Sequence, residues 1–224
     1  MSDLRLVIFD VDGTLVDSQA EILGAMTHAF DAMSMPVPSR AQVLSIVGLS
    51  LPETFAVLCP DGDQAMREAL TDHYRASFRN HATADLNRRS PLFPGALDAL
   101  RRLQLHDHTL LAVATGKSRR GLDRLINQHG LQGVFISHQT SDFHPSKPHP
   151  SMVLTCLADA GVTPDRAVMV GDTSYDMDMA RAAGVATIGV NWGYHDPAQL
   201  GADRMIDDFL ALDAAINDLI GEPV

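Results

Sequence analysis

Three short apolar runs constrain the fold of this chain more than any other feature: RLVIF (Arg5–Phe9), TLLAVAT (Thr109–Thr115) and AVMVGD (Ala167–Asp172), each followed by a helical pattern. A fourth, VATIGV (Val185–Val190), follows the helical stretch SYDMDMARAAG, in which Gly184 is a good C-terminal stop. Runs that are apolar throughout, rather than at alternate positions, mark strands buried on both faces. Such strands belong to parallel sheets covered by helices. The expected fold class is therefore α/β, with a doubly wound, Rossmann-like parallel-sheet core. Ligands of such sheets sit beyond the carboxyl ends of the strands, so the polar residues there are the ones to examine.

Between the first and second runs the texture changes. Ser18 and Glu21 read as a capping box, and Ile22, Leu23, Met26, Phe30 and Met33 follow at helical spacing. Asp63 can cap a second helix carrying Met66, Leu70, Tyr74 and Phe78. Pro91, Pro94 and Gly95 then break the pattern before LDALRRL. Residues 17–90 are accordingly predicted to be a small all-helical cap domain inserted after the first strand, with 1–16 and 91–224 forming the core.

Composition narrows the partners. With 46% hydrophobic residues in 224, the chain can bury a globular core. Its 28 acids against 17 bases give a net charge of -11, so no basic field exists for nucleic acid or an anionic membrane. No segment approaches the ~20 apolar residues of a membrane span. Asp10 and Asp12 interrupt the only leader-like stretch. Cys59 and Cys156 lack C-x-x-C spacing and read as reduced, structural thiols, which favours the cytoplasm.

The strand ends carry the chemistry. Asp10 and Asp12 end the first strand, Thr115 ends the second, Asp172 with Asp176 (GDTSYD) ends the third, and Lys147 lies in the loop HPSKPHPS. Carboxylates converging on one edge repel each other unless a cation sits among them, and a hard divalent ion with oxygen ligands, most simply Mg²⁺, meets that need. A phosphoryl group in transfer wants the same surroundings: a metal, a lysine, and hydroxyl or backbone N–H donors. A carboxylate nucleophile would divide the displacement into two steps. A second acid two residues on could protonate the leaving alkoxide and later deprotonate water. Asp12 would then need a raised pKa while Asp10 stays ionised, a separation that metal and lysine beside Asp10 would produce. Gly13 lets backbone approach a phosphate and Thr14 offers a hydroxyl; with Gly116 they are the candidates for substrate contact.

Blander roles exist for several of these groups. Asp172 and Asp176 suit a helix N-terminus, and a lone lysine is ordinarily a surface group. TGKS (Thr115–Ser118) is no nucleotide-binding P-loop, because Leu111 stands where that motif needs glycine. His144 and His149 flank Lys147 without ligand spacing and read as loop residues.

Taken together, DVDGTLVDS (10–18), VATGKS (113–118), SKPHPS around Lys147 and GDTSYDM around Asp172 resemble the four motifs of the haloacid dehalogenase superfamily, in its phosphatase branch. That resemblance implies Asp10 as the nucleophile of an aspartyl-phosphate mechanism, Asp12 as acid/base, and Thr115 and Lys147 as groups serving the phosphoryl transfer. It also implies Mg²⁺ held by Asp10, Asp172 and the backbone carbonyl of Asp12, with Asp176 just behind. Dehalogenases of the family usually carry Tyr where this chain has Asp12, which argues for phosphoryl chemistry. The cap, with FPGAL (93–97) and the loop GLSLPE (Gly48–Glu53), is similar to those of phosphoglycolate phosphatases and β-phosphoglucomutases. Arg40 and Arg75 are the cap cations nominated for a substrate carboxylate.

The expected function is thus a Mg²⁺-dependent phosphatase, phosphoglycolate phosphatase-like, acting on a small phosphorylated metabolite as a monomer or homodimer. The alternative is a β-phosphoglucomutase-like phosphomutase. A receiver-type phosphoacceptor signalling domain is the remote one, since receivers need neither the second acid nor a cap.

Overall fold

The computed structural model describes residues 4–81 and 90–222. Strands β1 (Arg5–Phe9), β2 (Thr109–Thr115), β3 (Ser137–Thr140), β4 (Ala167–Gly171), β5 (Ala186–Val190) and β6 (Arg204–Ile206) form one sheet in the order β3-β2-β1-β4-β5-β6. Every neighbouring pair is parallel. The four apolar runs become β1, β2, β4 and β5. The outer strands, SHQT and RMI, escaped the sequence pattern for a physical reason: an edge strand has one neighbour and is short, so it need not be apolar on both faces.

Nine α-helices and two short 3₁₀-helices (Pro164–Arg166 and Pro197–Gln199) complete the regular elements among the described residues. Five α-helices lie between β1 and β2, of which the first four are α1 (Gln19–Ala32), α2 (Arg40–Leu44), α3 (Leu51–Leu58) and α4 (Gln64–His81). The others are α5 (Ala96–Gln104), α6 (Arg119–His129), α7 (Ser151–Ala160), α8 (Ser174–Ala182) and α9 (Leu212–Ile220). Successive strand residues point to opposite faces. Val7 and Phe9 of β1 join a cluster with Leu100 of α5, Leu122 of α6 and Ile216 of α9. Leu6 and Ile8 join another with Met152 of α7 and Met179 of α8. Both faces are covered, as the unbroken apolar runs require.

The helical segment α1–α4 has a third cluster of its own, containing Met26, Phe30, Val43, Phe55 and Leu70. Phe55 sits at its centre, 6.3 Å from the ring of Phe30 and 6.3 Å, edge-on, from Tyr74. Asp63 caps α4 as expected, accepting from the Met66 N–H at 2.8 Å. The Ser18–Glu21 capping box does not form: Ser18 makes no side-chain cap bond, because its Oγ donates to Asp12 Oδ1 instead. Reciprocal boxes occur at Ser39–Gln42 and Thr173–Asp176. Leu51–Glu53 of the GLSLPE stretch is the first turn of α3 rather than loop. Residues 82–89 of the predicted 17–90 insertion lie outside the described residues.

Cys59 and Cys156 are buried free thiols, and burial pushes Cys156 up to about 12, which leaves it unreactive. Among the described residues no helix is long and apolar enough to cross a membrane. Chain order reverses on either side of β1, which has β2 on one flank and β4 on the other, and this switch point is where a doubly wound sheet opens a crevice.

Candidate active site

Beyond Phe9 the chain stays with the sheet for one residue, as the Asp10 N–H donates to the Val170 carbonyl at 2.9 Å. It then folds on itself: the Val11 carbonyl accepts from Leu15 at 3.0 Å and Val16 at 2.9 Å, while Gly13 N donates to Val16 O at 2.9 Å. Gly13 has φ +87°, and a Cβ there would lie 2.1 Å from Asp172 Oδ2. Glycine is required twice, by backbone angle and by space.

This turn delivers Asp10 to a cluster with Asp172 and Asp176. All three are buried, and one oxygen from each lies within 4.8 Å of the others. Lys147, equally buried, donates at 2.6 Å to Asp10 Oδ1 and at 2.6 Å to Asp176 Oδ1. The second oxygen of Asp176 accepts from Thr173 N at 3.1 Å and Thr173 Oγ1 at 2.7 Å, so one carboxylate both starts α8 and anchors the lysine. Asp172 accepts from Thr14 Oγ1 at 2.9 Å and from the Tyr194 N–H at 2.8 Å. The Thr14 hydroxyl is therefore spent on Asp172. Asp10 Oδ2 is buried with no hydrogen-bond partner.

One cation faces three carboxylates here. Burial pushes Asp10 up to about 7, with Lys147 pulling the other way. Asp172 is raised well above the usual carboxylate range by burial and by the charges of Asp10 and Asp176. Burial alone would lower the Lys147 ammonium, but Asp10 and Asp176 together hold it above its ordinary value. Lys147 does not by itself offset the desolvation of Asp10, so the expected ionised Asp10 depends on a further positive charge. The orphaned Oδ2, the all-oxygen donor set and the excess of negative charge fit a hard divalent cation.

Asp12 points elsewhere. Its Oδ1 lies 2.7 Å from Lys117 Nζ and accepts from Ser18 Oγ, and its carboxylate is not part of the three-acid cluster. Lys117 went unassigned in the sequence because VATGKS pointed to Thr115 as the functional residue of that motif and TGKS failed as a P-loop. A lysine two residues past the end of a buried parallel strand satisfies the same strand-end logic that selected Thr115. Thr115 is buried at the end of β2, its Oγ1 accepting from Lys117 N at 3.2 Å.

The helical segment covers this end of the sheet with the loop Ser45–Ser50. A Cβ on Gly116 would lie 2.5 Å from the Gly48 carbonyl oxygen and 2.8 Å from that of Leu49. Ser50 N donates to Ser146 Oγ at 2.9 Å, and Tyr175 OH donates to the Ser45 carbonyl at 3.1 Å. Gly116 thus gives room to the loop, a role the sequence did not suggest. Arg124 of α6 pairs with Glu21 at 3.3 Å and stands 5.3 Å over the Phe78 ring. Of the nominated cations, Arg40 is exposed and donates to Gln19, and Arg75 is exposed on α4. His144 is held between Ser151 Oγ and Gln139 Oε1, each at 2.8 Å.

A cluster of acids and one lysine thus lies at the switch point of a doubly wound sheet, with a helical segment over it. Residues 7–190 match the family model of the haloacid dehalogenase-like hydrolases. A probable phosphatase, IndB, of Dickeya dadantii is 36% identical over 222 residues, covering 96% of this chain and 94% of that protein. A phosphoglycolate phosphatase of Agrobacterium fabrum is 32% identical over 218 residues, covering 94% and 91%. The solved structure of a haloacid dehalogenase-like family hydrolase from Streptococcus pneumoniae superimposes with a TM-score of 0.80 at 25% identity, covering 96% of this chain and 99% of its own. The chain belongs to the haloacid dehalogenase-like hydrolase family, and it is a phosphatase of that family.

Proposed function

We propose that the protein is a Mg²⁺-dependent phosphatase that hydrolyses a small phosphate monoester, 2-phosphoglycolate or a close analogue, through a phosphorylated Asp10. Residues 17–90 act as a cap over a core made of 1–16 and 91–224. The observation that carries this reading is the environment of Asp10: one oxygen held by Lys147, the other buried without a partner, next to Asp172. The phosphoglycolate preference draws on relatives of that name.

In this mechanism Asp10 attacks phosphorus and the bond to the ester oxygen breaks, while Asp12 gives the departing alkoxide its proton. Asp12 then takes a proton from water, which attacks the aspartyl-phosphate, releasing inorganic phosphate and restoring Asp10. When bound by Asp10, Asp172 and the Asp12 carbonyl, Mg²⁺ supplies positive charge that neutralises the phosphoryl oxygens and favours ionised Asp10. Lys147 keeps Asp10 aligned and shares that charge, and Asp176 keeps Lys147 in place. Thr115 and the backbone N–H groups near Gly13 and Gly116 donate to the phosphoryl oxygens. Lys117 and Ser18, both on Asp12 Oδ1, leave its other oxygen for the ester. Closure of the cap loop excludes bulk water.

The test is a panel of phosphate monoesters, including 2-phosphoglycolate, sugar phosphates and p-nitrophenyl phosphate, assayed for phosphate release with Mg²⁺ and with EDTA. Release should need Mg²⁺ and vanish in Asp10→Asn without loss of fold. An Asp10→Asn protein that kept Mg²⁺-dependent turnover would exclude the nucleophile, and phosphoryl return to a sugar without net release would turn the reading to a phosphomutase.

A further inference from the structure

The loop after β5, NWGYH (Asn191–His195), supplies no group to the steps above, yet it touches both the acid cluster and the path by which the helical segment leaves the sheet. Gly193 packs so close to Asp172 that a Cβ would lie 2.0 Å from the aspartate's own. Trp192 Nε1 donates to the Thr14 carbonyl at 3.1 Å, steadying the residue whose hydroxyl holds Asp172. The backbone N–H of Tyr194 donates to Asp172 Oδ2 at 2.8 Å.

At its other end Tyr194 reaches the linker. Its hydroxyl oxygen accepts from Ser18 N at 2.8 Å, a donor shared with the Val16 carbonyl at 3.1 Å, and its proton is directed to Asp17 Oδ1 at 3.3 Å. Ser18 Oγ stands 3.4 Å away and gives its own proton to Asp12. The ring packs against the apolar cluster of the helical segment. Asp17 and Ser18 lie where the helical segment leaves the sheet: Val16 bridges to Leu92, and Asp17 N donates to the Pro91 carbonyl at 2.9 Å, so the outgoing and returning chains run side by side there.

We infer that Tyr194 is a positioning residue that couples the cap hinge to the catalytic carboxylates, its backbone holding Asp172 while its hydroxyl holds Ser18 and, through Ser18, Asp12. A swing of the helical segment that pulls Ser18 from Tyr194 also releases Asp12. The ester oxygen then meets its acid only when the hinge is seated. The inference rests on the acid/base role proposed for Asp12.

Tyr194→Phe tests it, because it keeps the ring and the N–H to Asp172 and deletes only the hydroxyl. Turnover of an alkyl phosphate, whose leaving group needs a proton, should fall about tenfold, and that of p-nitrophenyl phosphate less than about threefold. Hydrogen exchange of the peptide spanning residues 16–19 should accelerate several-fold, a readout that needs no turnover. Equal losses on both substrates, or unchanged exchange at the hinge, would overturn the coupling. The two readings fail separately: an active Asp10→Asn enzyme removes the phosphatase mechanism, whereas an inactive one beside a Tyr194→Phe enzyme that behaves as wild type removes only the latch.

Discussion

The sheet side of the cleft brings Asp10, Asp172, Asp176 and Lys147 into contact away from solvent, whereas the helical side meets it with Ser45–Ser50, whose contacts are backbone groups: the carbonyls of Ser45, Gly48 and Leu49 and the N–H of Ser50. One side is charge held by charge; the other is shape. Charge in a dry site acts strongly on a transition state and is unforgiving of deletion. A backbone surface resting on a glycine selects by fit and fails by steric obstruction. Loss of turnover should therefore track the sheet side, and altered closure the helical side.

Among substitutions that leave the nucleophile in place, the largest effect should come from Lys147→Met, which leaves Asp10 and Asp176 without their shared partner: turnover should drop about 10²- to 10³-fold with the fold retained by circular dichroism. A variant within threefold of wild type would break the comparison. Gly116→Ala probes the other side, since its Cβ would press on the Gly48 carbonyl. We expect kcat/KM to fall about tenfold, with thermal stability nearly unchanged because the clash is relieved by opening.

The pH response sharpens the contrast further. Asp10, raised from 3.8 to about 7, holds in the folded, metal-free protein a proton that the unfolded chain has released. Between those values the native state binds more protons, so stability falls as pH rises through the window. Melting curves in EDTA should show Tm dropping by on the order of 5 °C between pH 5 and pH 8, and saturating Mg²⁺ should flatten the slope by favouring the ionised carboxylates. The smallest effect belongs to Arg124→Ala. Its exposed ion pair and ring contact contribute roughly 1 kcal/mol or less, so kcat/KM should stay within about threefold.

Legibility followed the same division. Asp10, Asp172 and Asp176 were readable because each lies at or just past the end of a parallel strand, whereas Lys147, in a loop, stood out mainly through the family motif SKPHPS; the structure brings these four together. Strands β3 and β6 were not, since edge position relaxed the demand for apolar residues. The Ser18 capping box was a sound local expectation that lost to a carboxylate six residues earlier.

By itself the amino-acid order determined the doubly wound sheet and the identity of its charged edge: unbroken apolar runs must be covered on both faces, and their polar ends must then collect on one side. Only the tertiary structure decided which charges touch. Lys117 on Asp12, Tyr194 on Ser18 across 176 positions, and the Gly48 carbonyl against Gly116 are meetings between segments with no local pattern in common. Such contacts depend on packing angles accumulated over the whole fold, which no stretch of sequence encodes alone.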